Sequence, residues 1–426
     1  MYRKFVFFVF VYTLFGFKLS ILGDTGDEID GNILSSIRID DVIIVLFLFV
    51  YLVSGGQLLF FIRKKTVIWF LVYILVCMFS SFYNSITGDV SLLSSLLFSL
   101  RPFEYFLYIA LGYELARLSI NPDNSLKIYV FYCLVLIIGQ TFGVIGGISN
   151  FSFNRAIANT GGPWELAAVS AFLTMYFILN RKLINGLLST IILILTQSRI
   201  TLVGTAIVLL FRNYRQIFFI FRKSTAIVGS GVILIFCVSY FGVSLVSSKN
   251  DISSTTTGVA VRFESFSSND TISGIESILS NTQAAQNRQD YFNKTYGESL
   301  DNILSTSGDG DASAFIRFTR WVTLIKTACS DTMSFLIGLG PSYAGKAVDG
   351  NYVRIFIETG IIGIFTYIIF LFSFFKHVKD KLLINYIIIL VVTALFIDIF
   401  VTFKAMFLFW TFYGYHLYMK KLSKNG

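Results

Sequence analysis

Long apolar runs separated by short polar turns make up most of the chain. They fall at roughly 5–22, 41–61, 66–82, 101–117, 128–149, 163–180, 183–197, 200–212, 224–246, 351–375, 382–403 and 405–419. Most approach the twenty or so residues that a helix needs to cross about 30 Å of hydrocarbon. Helices are the expected form of every run, because a helix satisfies its own backbone where water is missing. The pattern predicts an all-α polytopic membrane protein with about twelve spans. The run 200–212 is short, and within 382–419 only Lys404 marks a turn.

Between the ninth and tenth runs the pattern changes. Residues 247–350 are rich in Ser, Thr, Asn, Asp and Gly, so the chain divides into spans at 1–246, one long polar loop, and spans at 351–426. The first part of the loop, roughly 249–311, reads as a mobile polar segment. The second, ASAFIRFTRWVTLIKTA at 312–328, puts Phe315, Phe318, Val322 and Ile325 at helical spacing. That spacing predicts an amphipathic helix lying on the membrane surface. The start, MYRKFVFFVFVYTLFGF, has the charged head and apolar run of a signal peptide, but no small-x-small cleavage site follows, so it is read as a retained first span.

Charge adds the orientation. With an inside N-terminus, alternation places Arg3/Lys4, Arg63/Lys64/Lys65, Arg181/Lys182, RNYRQIFFIFRK, Lys376/Lys379/Lys381 and Lys420/Lys421/Lys424 all on the cytoplasmic side. Both termini are then cytoplasmic and the long loop lies outside, which in a bacterial inner membrane means the periplasm. Composition agrees with a lipid solvent: 55% of residues are hydrophobic and only 14% charged. The net charge of +9 is mostly this topological bias, so it does not call for a nucleic-acid partner. Four cysteines without a CxxC pair and two histidines near the cytoplasmic side supply no metal site or cofactor motif. No internal repeat is present, and sequons at Asn150, Asn269 and Asn293 are of the frequency chance gives.

The informative cations are those outside despite the insertion bias. Arg101 opens a span in LRPFEYFLY, Arg155 precedes one in NRAIANTGGPWEL, Arg199 ends one in TQSRIT, and Arg317, Arg320 and Arg354 lie at the tail of the loop. A guanidinium grips phosphate oxygens bidentately, which suits a pyrophosphate-linked lipid headgroup. The plain alternative for each is a side chain snorkelling to the headgroups. Arg199 sits between two short apolar runs with no turn residues, a tight re-entry where charge is costly. Arg317 and Arg320 share a helix face. Among the acids, Glu104 is placed to pair with Arg101, Glu165 lies near an outer mouth, and Glu358 and Asp398 fall in apolar runs where bonding between helices is expected. Asp349, where the loop re-enters the membrane, is the candidate to orient or deprotonate a sugar hydroxyl.

These same stretches resemble the O-antigen polymerases and ligases, membrane glycosyltransferases of the GT-C type. LRPFEYFLYIALGY, NTGGPWELAAVSAF, TQSRITLVG and the run RFTRWVTLI, IGLGPSYAG, NYVRIFIETGIIG follow the order of the family's motifs over roughly 100–200 and 312–375. The resemblance implies a metal-independent, cofactor-free transfer on the outer face of the membrane. An undecaprenyl-pyrophosphate-linked glycan is the implied donor, with Arg101, Arg155, Arg199, Arg317 and Arg320 holding the pyrophosphate. Membrane lipids surround it, and a chain-length regulator and a flippase are the implied companions. Ligases carry a histidine where Asp349 stands, so the chain looks more like a polymerase of O-antigen or another surface polysaccharide. A ligase and a lipid-linked oligosaccharide flippase are the alternative readings.

Overall fold

The computed structural model describes residues 1–17, 38–88, 90–145, 155–213, 269–295, 312–345 and 348–425. The expected span 224–246, the first polar loop, Asn150 and parts of the 249–311 segment lie outside the described residues. Within them every regular element is helical. The helices are α1 (Tyr2–Phe15), α2 (Ile39–Val53), α3 (Leu59–Ile62), α4 (Lys65–Thr87), α5 (Leu92–Phe106), α6 (Tyr108–Arg117), α7 (Asp123–Thr141), α8 (Pro163–Leu179), α9 (Leu183–Leu195) and α10 (Arg199–Arg212). After the polar region come α11 (Asn269–Asn281), α12 (Arg288–Thr295), α13 (Ala312–Ala328), α14 (Thr332–Ile337), α15 (Asn351–His377), α16 (Lys381–Thr393) and α17 (Phe403–Asn425). Three of these, α4, α7 and α15, are long and apolar enough to cross a membrane, and α8, α9 and α16 are shorter apolar helices. The chain is an all-α membrane protein.

Helix ends fall where local chemistry puts them. Pro163 opens α8 at the position where a missing N–H costs nothing, and Gly88 closes α4 in the left-handed conformation. The α9–α10 connection is only Thr196, Gln197 and Ser198, with Gln197 at φ 52°. That is the tight re-entry expected at Arg199.

The core is aromatic. Trp410 on α17 is fully buried between Phe70 of α4, at 4.9 Å between centroids, and Phe106 of α5, at 5.2 Å edge on. The α6 and α17 helices approach so closely that a Cβ on Gly112 would strike the Thr411 carbonyl and one on Gly414 the Ile109 carbonyl. Small residues at such a crossing are what lets helices pack in lipid without a hydrophobic driving force between them.

The loop differs from the expectation of a mobile segment followed by a surface-lying helix. Two helices, α11 and α12, fall within 249–311, and Tyr291 and Phe292 of α12 are buried beside Tyr343. Helix α13 occupies 312–328, but Phe315 and Val322 of its stripe are buried in protein and only Ile325 stays exposed. An apolar stripe cannot distinguish lipid from neighbouring helices, and here α11, α12 and α15 cover it.

The run 351–375 is not one continuous helix. Gly360 interrupts α15 at φ 65°, ψ −166°, a conformation close to glycine-only. The segment after α14 packs into the break: a Cβ on Gly360 would collide with the backbone of Leu336, and one on Gly338 with that of Glu358 and Thr359. Carbonyls near the interruption find donors elsewhere. Leu339 N–H donates to Ile357 O at 2.7 Å and the Ser80 hydroxyl to Glu358 O at 2.7 Å. Irregular backbone at membrane depth survives only when protein satisfies it in this way.

Candidate active site at the mouth of the broken helix

The polar loop returns to α15 through residues 348–350, and a carboxylate from the connection between α16 and α17 organises that return. Asp398 accepts hydrogen bonds from three consecutive backbone N–H groups, Val348 at 2.9 Å, Asp349 at 3.2 Å and Gly350 at 3.1 Å. Successive amides converging on one anion form a nest. Arg354, one turn into α15 and 1% exposed, donates to Asp398 at 2.9 Å, to Glu358 at 2.9 Å and to Gly345 O at 3.3 Å. Asp398 therefore bonds between elements, as its position implied, whereas the Glu358 bond to Arg354 lies within α15; a buried guanidinium is what the two acids share.

Helix α13 brings the second set of charges. Arg317 Nε lies 3.7 Å from Asp349 Oδ2, and Arg320, Arg354 and Asp398 also act on that carboxyl. Burial pushes the Asp349 carboxyl above the usual carboxylate range, against the pull of Arg317. Asp349 sits at φ 59°, a strained setting for a non-glycine residue. Trp321, one turn beyond Arg317, holds it there: the indole N–H donates to Val348 O at 2.8 Å, and the ring fills the space a Cβ on Gly350 would need. Three of the sequence candidates are thus brought together: Arg317 and Arg320 both act on the Asp349 carboxyl, as Arg354 does.

The other candidates are held by other elements. Arg101 pairs with Glu104 at 3.3 Å and with Asp41 at 3.4 Å, and Arg38 pairs with the same two acids at 3.4 Å each. The ion pair expected from the three-residue spacing is present, inside a four-charge cluster that ties α5 to the start of α2. Arg155 Nε donates to Thr196 O at 3.0 Å, while Ala156 N–H donates to Leu195 O at 3.0 Å. Arg155 is thereby fixed to the α9–α10 turn that carries Arg199. Glu165 accepts from the Gly161 and Lys404 backbone N–H groups at 2.7 Å each, a structural role at the base of α8 and α17.

Behind Arg354 lies an enclosed cavity of about 40 Å³ between α4, α5, α15 and α17, lined mainly by apolar residues, among them Phe70, Phe98, Tyr367 and Trp410, with Glu358 and Arg354 at its polar wall. Phe98 stacks on the Arg354 guanidinium at 5.3 Å. Among the described residues no group of three or more His, Cys, Asp or Glu is arranged to hold a metal ion.

Sequence reasoning passed over several members. Arg354 stood among the outer cations but was not chosen, although Glu358 four residues on was a visible partner. Asp398 is 44 residues from Arg354, beyond any local signal. Trp321 was visible only as part of a motif. Lys404, which marked a turn, is 2% exposed and caps the last carbonyls of α1, donating to Leu14 O at 3.1 Å and Gly16 O at 2.8 Å. Searches of protein-family models, curated proteins and solved structures find no match to this chain.

Proposed function

We propose that this chain is a surface-polysaccharide polymerase of the O-antigen polymerase type, joining repeat units carried on undecaprenyl pyrophosphate at the outer face of the bacterial inner membrane. The observation that carries the reading is the set of arginines on one face of α13, Arg317 and Arg320, turned toward Asp349 at the mouth of a membrane-crossing helix. Charge-assisted bonds close at about 2.7–2.9 Å, so at 3.7 Å the pairing of Arg317 with Asp349 is long and does not lock the guanidinium to that carboxylate. In the reaction an acceptor sugar hydroxyl attacks C1 of the donor glycan. The C1–O bond breaks, the lipid pyrophosphate leaves with the electron pair, and the hydroxyl proton passes to Asp349. Arg317 and Arg320 neutralise the leaving group as charge develops, where preorganised cations act most strongly. A carboxyl raised by burial stands nearer the working range of a general base. Arg199, fixed beside Arg155, offers a second cationic point for the lipid-linked substrates. No metal or cofactor takes part in this scheme.

The reading includes about twelve spans, cytoplasmic termini and α11–α13 in the periplasm, motivated by the alternation of basic turns. Alkaline phosphatase fused near residue 280 is expected to be active and at the C-terminus inactive; the reverse pattern would invert the site.

Deleting the gene tests the function. The strain is expected to lose its ladder of long glycan chains yet keep single repeat units on the lipid A core. Bare core with polymer still made on the lipid carrier would mean a ligase, and absence of any outward glycan a flippase. Either result rejects the polymerase.

A further inference from the structure

Helix α14 belongs to the polar loop by sequence, yet it ends deep beside α15. The antiparallel pairing of α4 and α15, with Tyr73 against Tyr367 at 5.2 Å and the Ser80 hydroxyl on Glu358 O, brings the end of α4 at Thr87 to the start of α15 at Asn351. Measured from that shared end at about 1.5 Å per residue, Ser80 lies roughly 10 Å down α4 and Gly360 roughly 14 Å down α15. The backbone of Leu336 and Ile337 meets Gly360, and Gly338 O accepts from the Asn84 amide at 3.1 Å. The end of α14 therefore reaches a depth comparable with half of a roughly 30 Å hydrocarbon layer. We infer that α14 is a re-entrant element: the tail of the polar loop dips into the lipid beside α4 and α15, and acyl chains of the bilayer cover its exposed face.

What is exposed and what is covered fits that occupant. Met333, Phe335 and Leu336 of α14 are exposed, whereas the irregular backbone that follows, at Gly338, Leu339 and Gly340, is buried. Polar groups of this turn find protein partners: Gly338 N–H donates to Ser334 O at 2.8 Å and Leu339 N–H to Ile357 O at 2.7 Å. Non-helical backbone persists at membrane depth only when protein covers it, while apolar side chains of a helix can face lipid. In water the same three side chains would form an apolar patch without a purpose. The polar residues stand at the entrance instead. Asp331 and Thr332 are exposed, and the Asp331 side chain caps the helix through the Ser334 N–H at 3.0 Å.

The exposed face is continuous with the apolar surface of the neighbouring spans. Phe335 packs edge-on to Phe356 of α15 at 5.8 Å, and exposed Phe79 of α4 and Ile362 of α15 lie with Ile337 around one open depression. The lipid contact expected of the loop at α13 thus falls to α14. Anchored there, the chain between α14 and α15 is held at a fixed depth, from which it delivers Gly345 O to Arg354 and Asp349 to the mouth.

An environment-sensitive fluorescent amino acid in place of Phe335, in the full chain in phospholipid vesicles, tests the depth. The same residue in place of Phe365, exposed on α15, marks lipid, and in place of Leu279, exposed on α11, marks water. Phospholipid carrying a nitroxide on its acyl chain is expected to quench the Phe335 probe nearly as well as the Phe365 probe. Iodide on both sides of the membrane is expected to quench it about tenfold less than the Leu279 probe, because an ion stays out of hydrocarbon. Iodide quenching equal to that at Leu279 would place α14 in water. Quenching by neither agent would mean that protein, a second copy or another part of this chain, covers the face. Either result overturns the re-entrant element, and the same probe in place of Met333 decides the matter if the Phe335 variant does not reconstitute. Neither quencher reports on catalysis, so the outcome stands whichever way the gene deletion falls.

Discussion

Arg354→Leu is expected to destabilise the folded protein by about 3–5 kcal/mol, the usual cost of removing one partner from a buried ion pair. The guanidinium is 1% exposed, and the side chains of its acidic partners Glu358 and Asp398 are each only 12% exposed. Removing it leaves two carboxylates facing one another in a poorly hydrated site, and it also frees Gly345 O. Arg354→Lys is expected to recover only part of the loss, because an ammonium lacks the planar fork that meets two carboxylates and a carbonyl together. The loop bonds would suffer in turn, since Asp398 without its cation holds the 348–350 amides less firmly. Thermal unfolding in detergent, followed by retention of the monodisperse species, measures the effect. An Arg354→Leu protein as stable as the parent would show that the cluster does not hold the α15 mouth together.

Arg317→Ala and Arg320→Ala are expected to abolish polymer formation at unchanged membrane abundance. Losing one preorganised donor at a developing anion costs about 100-fold to 1,000-fold in rate. Lysine at either position is expected to restore little, for the same reason of fork geometry. The purified protein supplied with lipid-linked repeat units, in excess chelator, reports the rate directly. Full elongation by both alanine variants would remove the pyrophosphate role from α13. Strict dependence on a divalent ion would replace the arginine mechanism with a metal-assisted one. Because Arg317 is partly exposed and its pairing with Asp349 is long, its loss is expected to leave stability nearly intact, unlike that of Arg354.

How much of this could be read from the chain differs by element. Some helix positions followed hydropathy closely: the run placed at 163–180 is Pro163–Leu179, and the sequence-based helix at 312–328 is Ala312–Ala328. The run at 101–117, however, is divided between Leu92–Phe106 and Tyr108–Arg117, and Arg101 lies inside the first of these, not at the opening of a span. Arg317 and Arg320 shared a face by spacing, and Asp349 stood at the loop's return, so their meeting was partly visible. What hydropathy could not show is the interruption at Gly360. Apolar residues flank it on both sides, and the average over 351–375 looks like one span, whereas backbone packing against Leu336 decides the conformation. The partners of Arg101 were half visible, Glu104 by proximity and Asp41 not at all, because α2 approaches α5 only in three dimensions. The α13 stripe was read correctly as apolar on one face, but its cover was assigned to lipid where helices supply it.

The lysine at the base of α17 bears on how the protein is made. Lys404 and Leu14 O, which it caps, are separated by 390 positions, and the Asn159 amide shares the job at Leu14, Phe15 and Gly16. Until α17 has been synthesised, the last carbonyls of α1 lack that ammonium group and have the Asn159 amide as their partner. The last third of the nascent polypeptide therefore supplies the lock for the first.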